Sequence, residues 1–154
     1  MTKADDNLVR QHFGEFEGLL DKSGIVVDRS ALQKLYQART IQAGNGMARM
    51  HDEPTGIKLR NDSFLSFLET VDIVDGKLVR TTYVYRYISR HPMFAFRYDK
   101  DSRSRGKDFI TLENGDLRWH PECHLHYLDD DEPHYKTHET NLGEILNFIK
   151  YCFI

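Results

Sequence analysis

Residues 64–99 read FLSFLETVDIVDGKLVRTTYVYRYISRHPMFAFRYD and set the architecture. Apolar and polar residues alternate with a period of two, the pattern of half-buried strands. On the first strand Leu65, Phe67, Val71 and Ile73 share one side, with Glu69 in the same row. Asp75-Gly76, between two alternating runs, signals a tight hairpin turn. The return strand covers residues 78–88. Val79, Thr81, Tyr83, Tyr85 and Tyr87 form one of its rows, and Leu78, Arg80, Thr82, Val84, Arg86 and Ile88 the other. Pro92 marks a corner. Residues 93–99 then form a third strand, with Phe94, Phe96 and Tyr98 on one face and Ala95, Arg97 and Asp99 on the other.

Downstream, residues 100–107 are a charged loop, and Asn114-Gly115 turns a minor hairpin after Phe109–Leu112. Residues 123–128 (CHLHYL) form a short last strand with His124, His126 and Leu128 on one face. An acidic loop over 129–133 leads to an amphipathic helix from Leu142 to Phe153. Asn141 is its N-cap and Glu144 the reciprocal acid. Upstream, residues 4–22 read as a helix with a stripe of Leu8, Phe13, Phe16, Leu19 and Leu20, ended by Gly24. Asp28 or Ser30 caps a second helix carrying Leu32, Leu35, Tyr36 and Ile41, and residues 44–56 read as a loop. The expected fold is α+β: an antiparallel meander of about four strands whose apolar face is covered by helices. Residues 1–55 form a helical extension on a core of 56–154, together one compact domain of 154 residues.

With 21 basic and 24 acidic side chains the chain carries a net charge of −3, which excludes a wholly basic nucleic-acid surface. The charge is uneven. Between Lys77 and Lys107 nine Lys/Arg stand against two acids, the local surplus a phosphate-handling face needs. Two cysteines and no apolar leader point to a reduced, cytoplasmic protein. No P-loop, G-x-G-x-x-G or G-x-S-x-G occurs, so nucleoside triphosphate hydrolysis and serine hydrolysis are disfavoured. Structural zinc lacks its C-x2-C pairs.

Of eight histidines, five lie between His120 and His138. His124 and His126 on one strand face suit proton transfer, or metal binding completed by His120, His134, His138 or Glu122. Surface histidines on an edge strand are the plainer alternative. Arg86 and Arg97 suit clamping of a phosphate, or simple pairing with Glu69 or Asp99. Tyr83, Tyr85 and Tyr87 suit stacking on unpaired bases, or a core face. Glu69, alone among apolar neighbours, either has an Arg partner or is a base of raised pKa. Cys123 and His124 are adjacent on a strand and face opposite ways, so they are not a nucleophile pair.

The order of these pieces resembles the TumE toxin family of prokaryotic toxin–antitoxin loci. It covers an acid-bearing strand (Glu69), a Tyr-rich strand (Tyr83–Tyr87), Phe96-Arg97-Tyr98-Asp99, then His120-Pro121 leading to His124-Leu125-His126, and a final amphipathic helix. The likeness spans residues 57–152. Lys100-Asp101-Ser102 stands where the family has an Asn and a His pair. The resemblance implies a toxin that cleaves RNA without a cofactor and is silenced by a cognate antitoxin. The RNA's own 2′-OH is the nucleophile, with His124, His126 or Glu69 as base. Another His or Tyr85 serves as acid, and Arg97 or Arg86 stands over the phosphate. Arg86, Arg80, Lys100 and Tyr83 are the substrate-binding set. Two rivals remain. One is a metal-dependent hydrolase or nuclease using His120, His124, His126 and His138. The other is a non-enzymatic nucleic-acid or protein-binding module. Self-association stays open.

Overall fold

At the Asp75-Gly76 turn both residues adopt left-handed backbone, φ 52° and 71°, as a two-residue hairpin turn of right-handed twist demands. The computed structural model describes residues 3–27, 40–41, 48–51, 56–90, 93–104, 106–128 and 133–154. The turn joins β4 (Phe64–Val74) to β5 (Lys77–Arg90), and β6 (Met93–Lys100) and β9 (Cys123–Tyr127) continue the antiparallel meander. These are the four expected strands.

Four short strands extend the sheet to eight: β1 (Thr40–Ile41), β2 (Ala48–His51), β3 (Ile57–Lys58) and β10 (Tyr135–Lys136). β2 and β3 both pair with β4, and β10 pairs with β9. β7 (Phe109–Thr111) and β8 (Leu117–Trp119) form the separate minor hairpin around Gly115.

Two expectations for the N-terminal third change. Thr40–Ile41 is a strand rather than the end of a helix, and Ala48–His51 is a strand where a loop was expected. The edge of β4 supplies hydrogen-bond partners to a segment too short to show periodicity of its own. The remainder of the second helix (residues 28–39), the Pro92 corner and residues 129–132 of the acidic loop lie outside the described residues.

One face of the sheet is covered. α1 (Lys3–Ser23) buries Val9, Phe13, Phe16 and Leu20, each about one turn from the next, and α2 (Leu142–Cys152) buries Leu142, Ile145, Leu146 and Ile149. They meet Leu65, Phe67, Val71, Tyr83, Tyr85, Tyr87 and Phe96. Each such aromatic or aliphatic side chain contributes roughly 1.5–3 kcal/mol by leaving water. Leu8 and Leu19, expected in the α1 stripe, are exposed, and Val9 takes the core position. Gly24, at φ 71°, ends α1. Asn141 Oδ1 caps α2 by accepting from Glu144 N at 3.0 Å. The Glu144 carboxylate does not return the bond. It accepts from the nearer Thr140 Oγ1 at 2.8 Å instead. No helix of the described residues is long and apolar enough to cross a membrane.

A β-bulge shifts the register between Thr70 and Val71, so that Thr70 opposes Thr82 while Val71 opposes Arg80. The extra residue moves Arg80 out of the row it shared with Arg86 and onto the covered face.

Candidate functional site

Strand register builds the site. β6 and β9 place Arg97 opposite His126 and Asp99 opposite His124, and β5 places Arg86 opposite Arg97. Alternation sends all of these to the face away from the helices, while Cys123, Leu125 and Tyr127 go to the other. His120 follows β8 and His134 precedes β10, and both chain segments bring their rings onto His124.

His124 and His134 each neighbour the three other imidazoles. Ring centroids lie 4.5 Å apart for His120–His124, 4.6 Å for His120–His134 and His126–His134, 4.7 Å for His124–His134 and 4.9 Å for His124–His126. His120, His124 and His126 are buried and His134 is half-buried. His124 Nδ1 meets the Pro121 carbonyl at 2.6 Å, and His120 Nδ1 meets Ser104 Oγ at 2.8 Å. A carbonyl only accepts, so His124 carries its proton on Nδ1 when neutral and its lone pair on Nε2. Arg97 Nη2 lies 3.1 Å from His126 Nε2, and Arg97 Nε donates to Asp99 Oδ2 at 2.9 Å. Asp99 Oδ2 stands 3.3 Å from His126 Nε2 and 3.7 Å from His124 Nε2, and Asp99 Oδ1 is buried without a hydrogen-bond partner among the described residues.

Together these groups line a concave pocket of about 310 Å³ whose walls also carry Asp101, Arg103 and Arg118. Burial lowers the pKa of His120 and of His124. Burial and the three neighbouring rings take His134 down to about 4. At neutral pH these three rings are uncharged and present lone pairs. Burial works to raise Asp101, but the hydrogen bonds and charge of Arg103 outweigh it and hold the carboxyl below its ordinary value.

A second polar cluster lies on the covered face, on the far side of the sheet. Glu69 is buried, accepts from Tyr85 OH on one oxygen and pairs with His12 Nε2 of α1 on the other. Arg80 donates to Thr140 O at 2.6 Å and to Glu139 at 2.8 Å, and lies over the Tyr83 ring. Tyr83 OH accepts from Thr140 N at 3.0 Å, and Lys100 pairs with Glu139 at 3.0 Å. Burial first, then the Glu69 charge, pushes Tyr85 well above its ordinary pKa, and burial does the same for Tyr83.

The expected catalytic set is therefore divided. His124, His126 and Arg97 meet in the pocket with Arg86 on the same face, whereas Glu69 and Tyr85 lie across the sheet. Of the expected substrate-binding residues, Arg80, Tyr83 and Lys100 are also on the covered face. Tyr83, Tyr85 and Tyr87 are fully buried and offer no face to a base. In the alternative metal set His138 is displaced. It is exposed and meets Glu144 at 3.2 Å, while His134 and Asp99 occupy the cluster.

Sequence reasoning missed His12, Asp101, Arg103 and Arg118. His12 carried a signal, since it lies between positions of the apolar stripe of α1. Comparison of the chain with models of known families, with curated proteins and with solved structures finds no match.

Proposed function

We propose that the open-face pocket binds and cleaves an RNA phosphodiester, and that the chain acts in the cytoplasm as the toxin of a toxin–antitoxin pair. The observation that carries this reading is the contact of Arg97 with His126 on the pocket floor. It sets a proton acceptor beside a guanidinium able to clamp a phosphate. The resemblance of residues 57–152 to TumE toxins supports the same class.

In this reading Arg97 turns from His126 Nε2 to the phosphate, and the freed Nε2 takes the proton of the 2′-hydroxyl as the 2′-oxygen bonds to phosphorus. The bond from phosphorus to the 5′-oxygen breaks, and that oxygen leaves with a proton from solvent. Arg97 neutralises the charge that gathers on the phosphoryl oxygens, with Arg103 and Arg118 on the pocket wall. Glu69 and Tyr85 take no part, because the sheet separates them from the phosphate. A cognate antitoxin silences the toxin by covering this pocket.

The test is cleavage of RNA by the purified chain beside His126→Ala and Arg97→Ala, together with growth arrest on induced expression. Loss of both activities in both variants, with the fold intact, supports the reading. Equal cleavage by wild type and His126→Ala removes the proposed site.

A further inference from the structure

We infer that the imidazole cluster is a binding site for one divalent transition-metal ion, with His120, His124 and His134 as ligands and Asp99 beside the open position. The site does not rest on the nuclease reading, and it replaces the expectation that the chain works without a cofactor.

Three observations carry it. First, the ligand atoms of His120, His124 and His134 all lie within 4.8 Å of one another, and those of Asp99, His124 and His126 do likewise, so His124 belongs to both groups. A tetrahedral set at zinc–imidazole bond lengths of ~2.0–2.1 Å spaces its nitrogens by about 3.3 Å, so the ligand atoms need to draw together by at most about 1.5 Å.

Second, the outer partners are those of a ligating histidine. Such a ring gives its other nitrogen to a carbonyl, carboxylate or similar acceptor, which fixes the tautomer and aims the free lone pair at the metal. The Pro121 carbonyl does this for His124, and the fully buried Ser104 hydroxyl does it for His120 when it accepts from Nδ1.

Third, the arrangement places acceptors against acceptors. With its proton on Nδ1, His124 turns its Nε2 lone pair toward Asp99 Oδ2 at 3.7 Å, and the other oxygen of that carboxylate, Oδ1, is buried without a hydrogen-bond partner among the described residues. A cation between them turns this repulsion into ligation.

The donor set selects the ion. Imidazole nitrogens suit zinc, copper, nickel and iron over magnesium or calcium, which prefer oxygen. Three histidines with a fourth position open is the composition of a catalytic rather than a structural zinc site. An ion held there adjoins the Arg97–His126 pair. It can polarise a phosphoryl oxygen or a bound water in the same pocket.

The experiment is calorimetric titration of the metal-stripped full chain with Zn²⁺, repeated with Co²⁺ to read visible ligand-field absorption. One equivalent of Zn²⁺ should bind, with Co²⁺ bands of low coordination number. His134→Ala should weaken binding by more than about 100-fold, and Ser104→Ala, which acts only through His120, by about 10–100-fold. His138→Ala should bind as wild type does. His134 is half-buried and outside the central strands, so its variant keeps the test alive if His124→Ala does not fold. Absence of stoichiometric binding, undiminished binding in His134→Ala, or loss in His138→Ala each overturns the site. RNA cleavage is scored separately. A chain that binds zinc and leaves RNA intact refutes the nuclease reading alone, and one that cleaves RNA yet takes up no metal refutes the metal site alone.

Discussion

The two faces of the central sheet carry similar residue types and use them in opposite ways. On the covered face a carboxylate, a histidine, a tyrosine and an arginine (Glu69, His12, Tyr85, Arg80) close on one another beneath two helices. Both Glu69 oxygens are taken. On the open face Asp99 and four histidines converge on a pocket, and Asp99 Oδ1 has no hydrogen-bond partner among the described residues. A polar network that satisfies itself ties elements together, here α1 to the sheet. One that leaves acceptors facing a cavity is set up for something from outside.

The contrast is sharpest where stability and activity are separated. The largest effect is expected from Glu69→Ala. It leaves the Tyr85 hydroxyl and His12 without their partner beside a cavity, and chemical denaturation should show a loss of about 3–5 kcal/mol. A loss under 1 kcal/mol would show that the network holds nothing.

Next comes Arg97→Ala, expected to cut RNA cleavage by at least about 100-fold, the usual effect of removing one group that stabilises transition-state charge. Its melting temperature should stay within a few degrees of wild type. The reverse result, stability lost and cleavage kept, would exchange the roles of the two faces.

An alkaline titration sharpens the comparison from the covered side. Tyr83 and Tyr85 hold their protons above the free tyrosine value of about 10. The unfolded chain therefore binds fewer protons than the fold once the pH passes that value. Their contribution is fully present below pH ~10 and is lost as pH rises through the folded values. Thermal melts should be insensitive to these two groups up to about pH 10, and tyrosinate absorbance from them should rise only with unfolding. Early ionisation of both, without unfolding, would contradict their burial.

The smallest effect is His138→Ala, expected within about 0.5 kcal/mol of wild type in stability, because its contact with Glu144 is exposed.

The meander was legible because local signals agree. Asp75-Gly76 fixes the hairpin, and Leu65, Phe67, Tyr83, Tyr85 and Tyr87 hold a clean period of two. The pairing of His124 and His126 on one face, with Cys123 turned away, follows from the same alternation. Other features depend on tertiary context. A single bulge, with Thr81 the extra residue opposite the Thr70–Val71 step, reverses the side on which Arg80 lies, and nothing in VRTTY announces it. Glu69 is anomalous in its apolar row, yet its partner His12 is 57 positions away on a helix. His134 and His138 were indistinguishable in sequence. Only the pairing of β10 with β9 decides which of them reaches the cluster. β2 is visible only through the edge of β4.

The account turns on the open-face pocket being the working site. The most direct measurement is RNA cleavage by His126→Ala at a temperature where its circular dichroism matches wild type. The account predicts that cleavage falls by at least about 100-fold while the fold persists. Cleavage at the wild-type rate would contradict it.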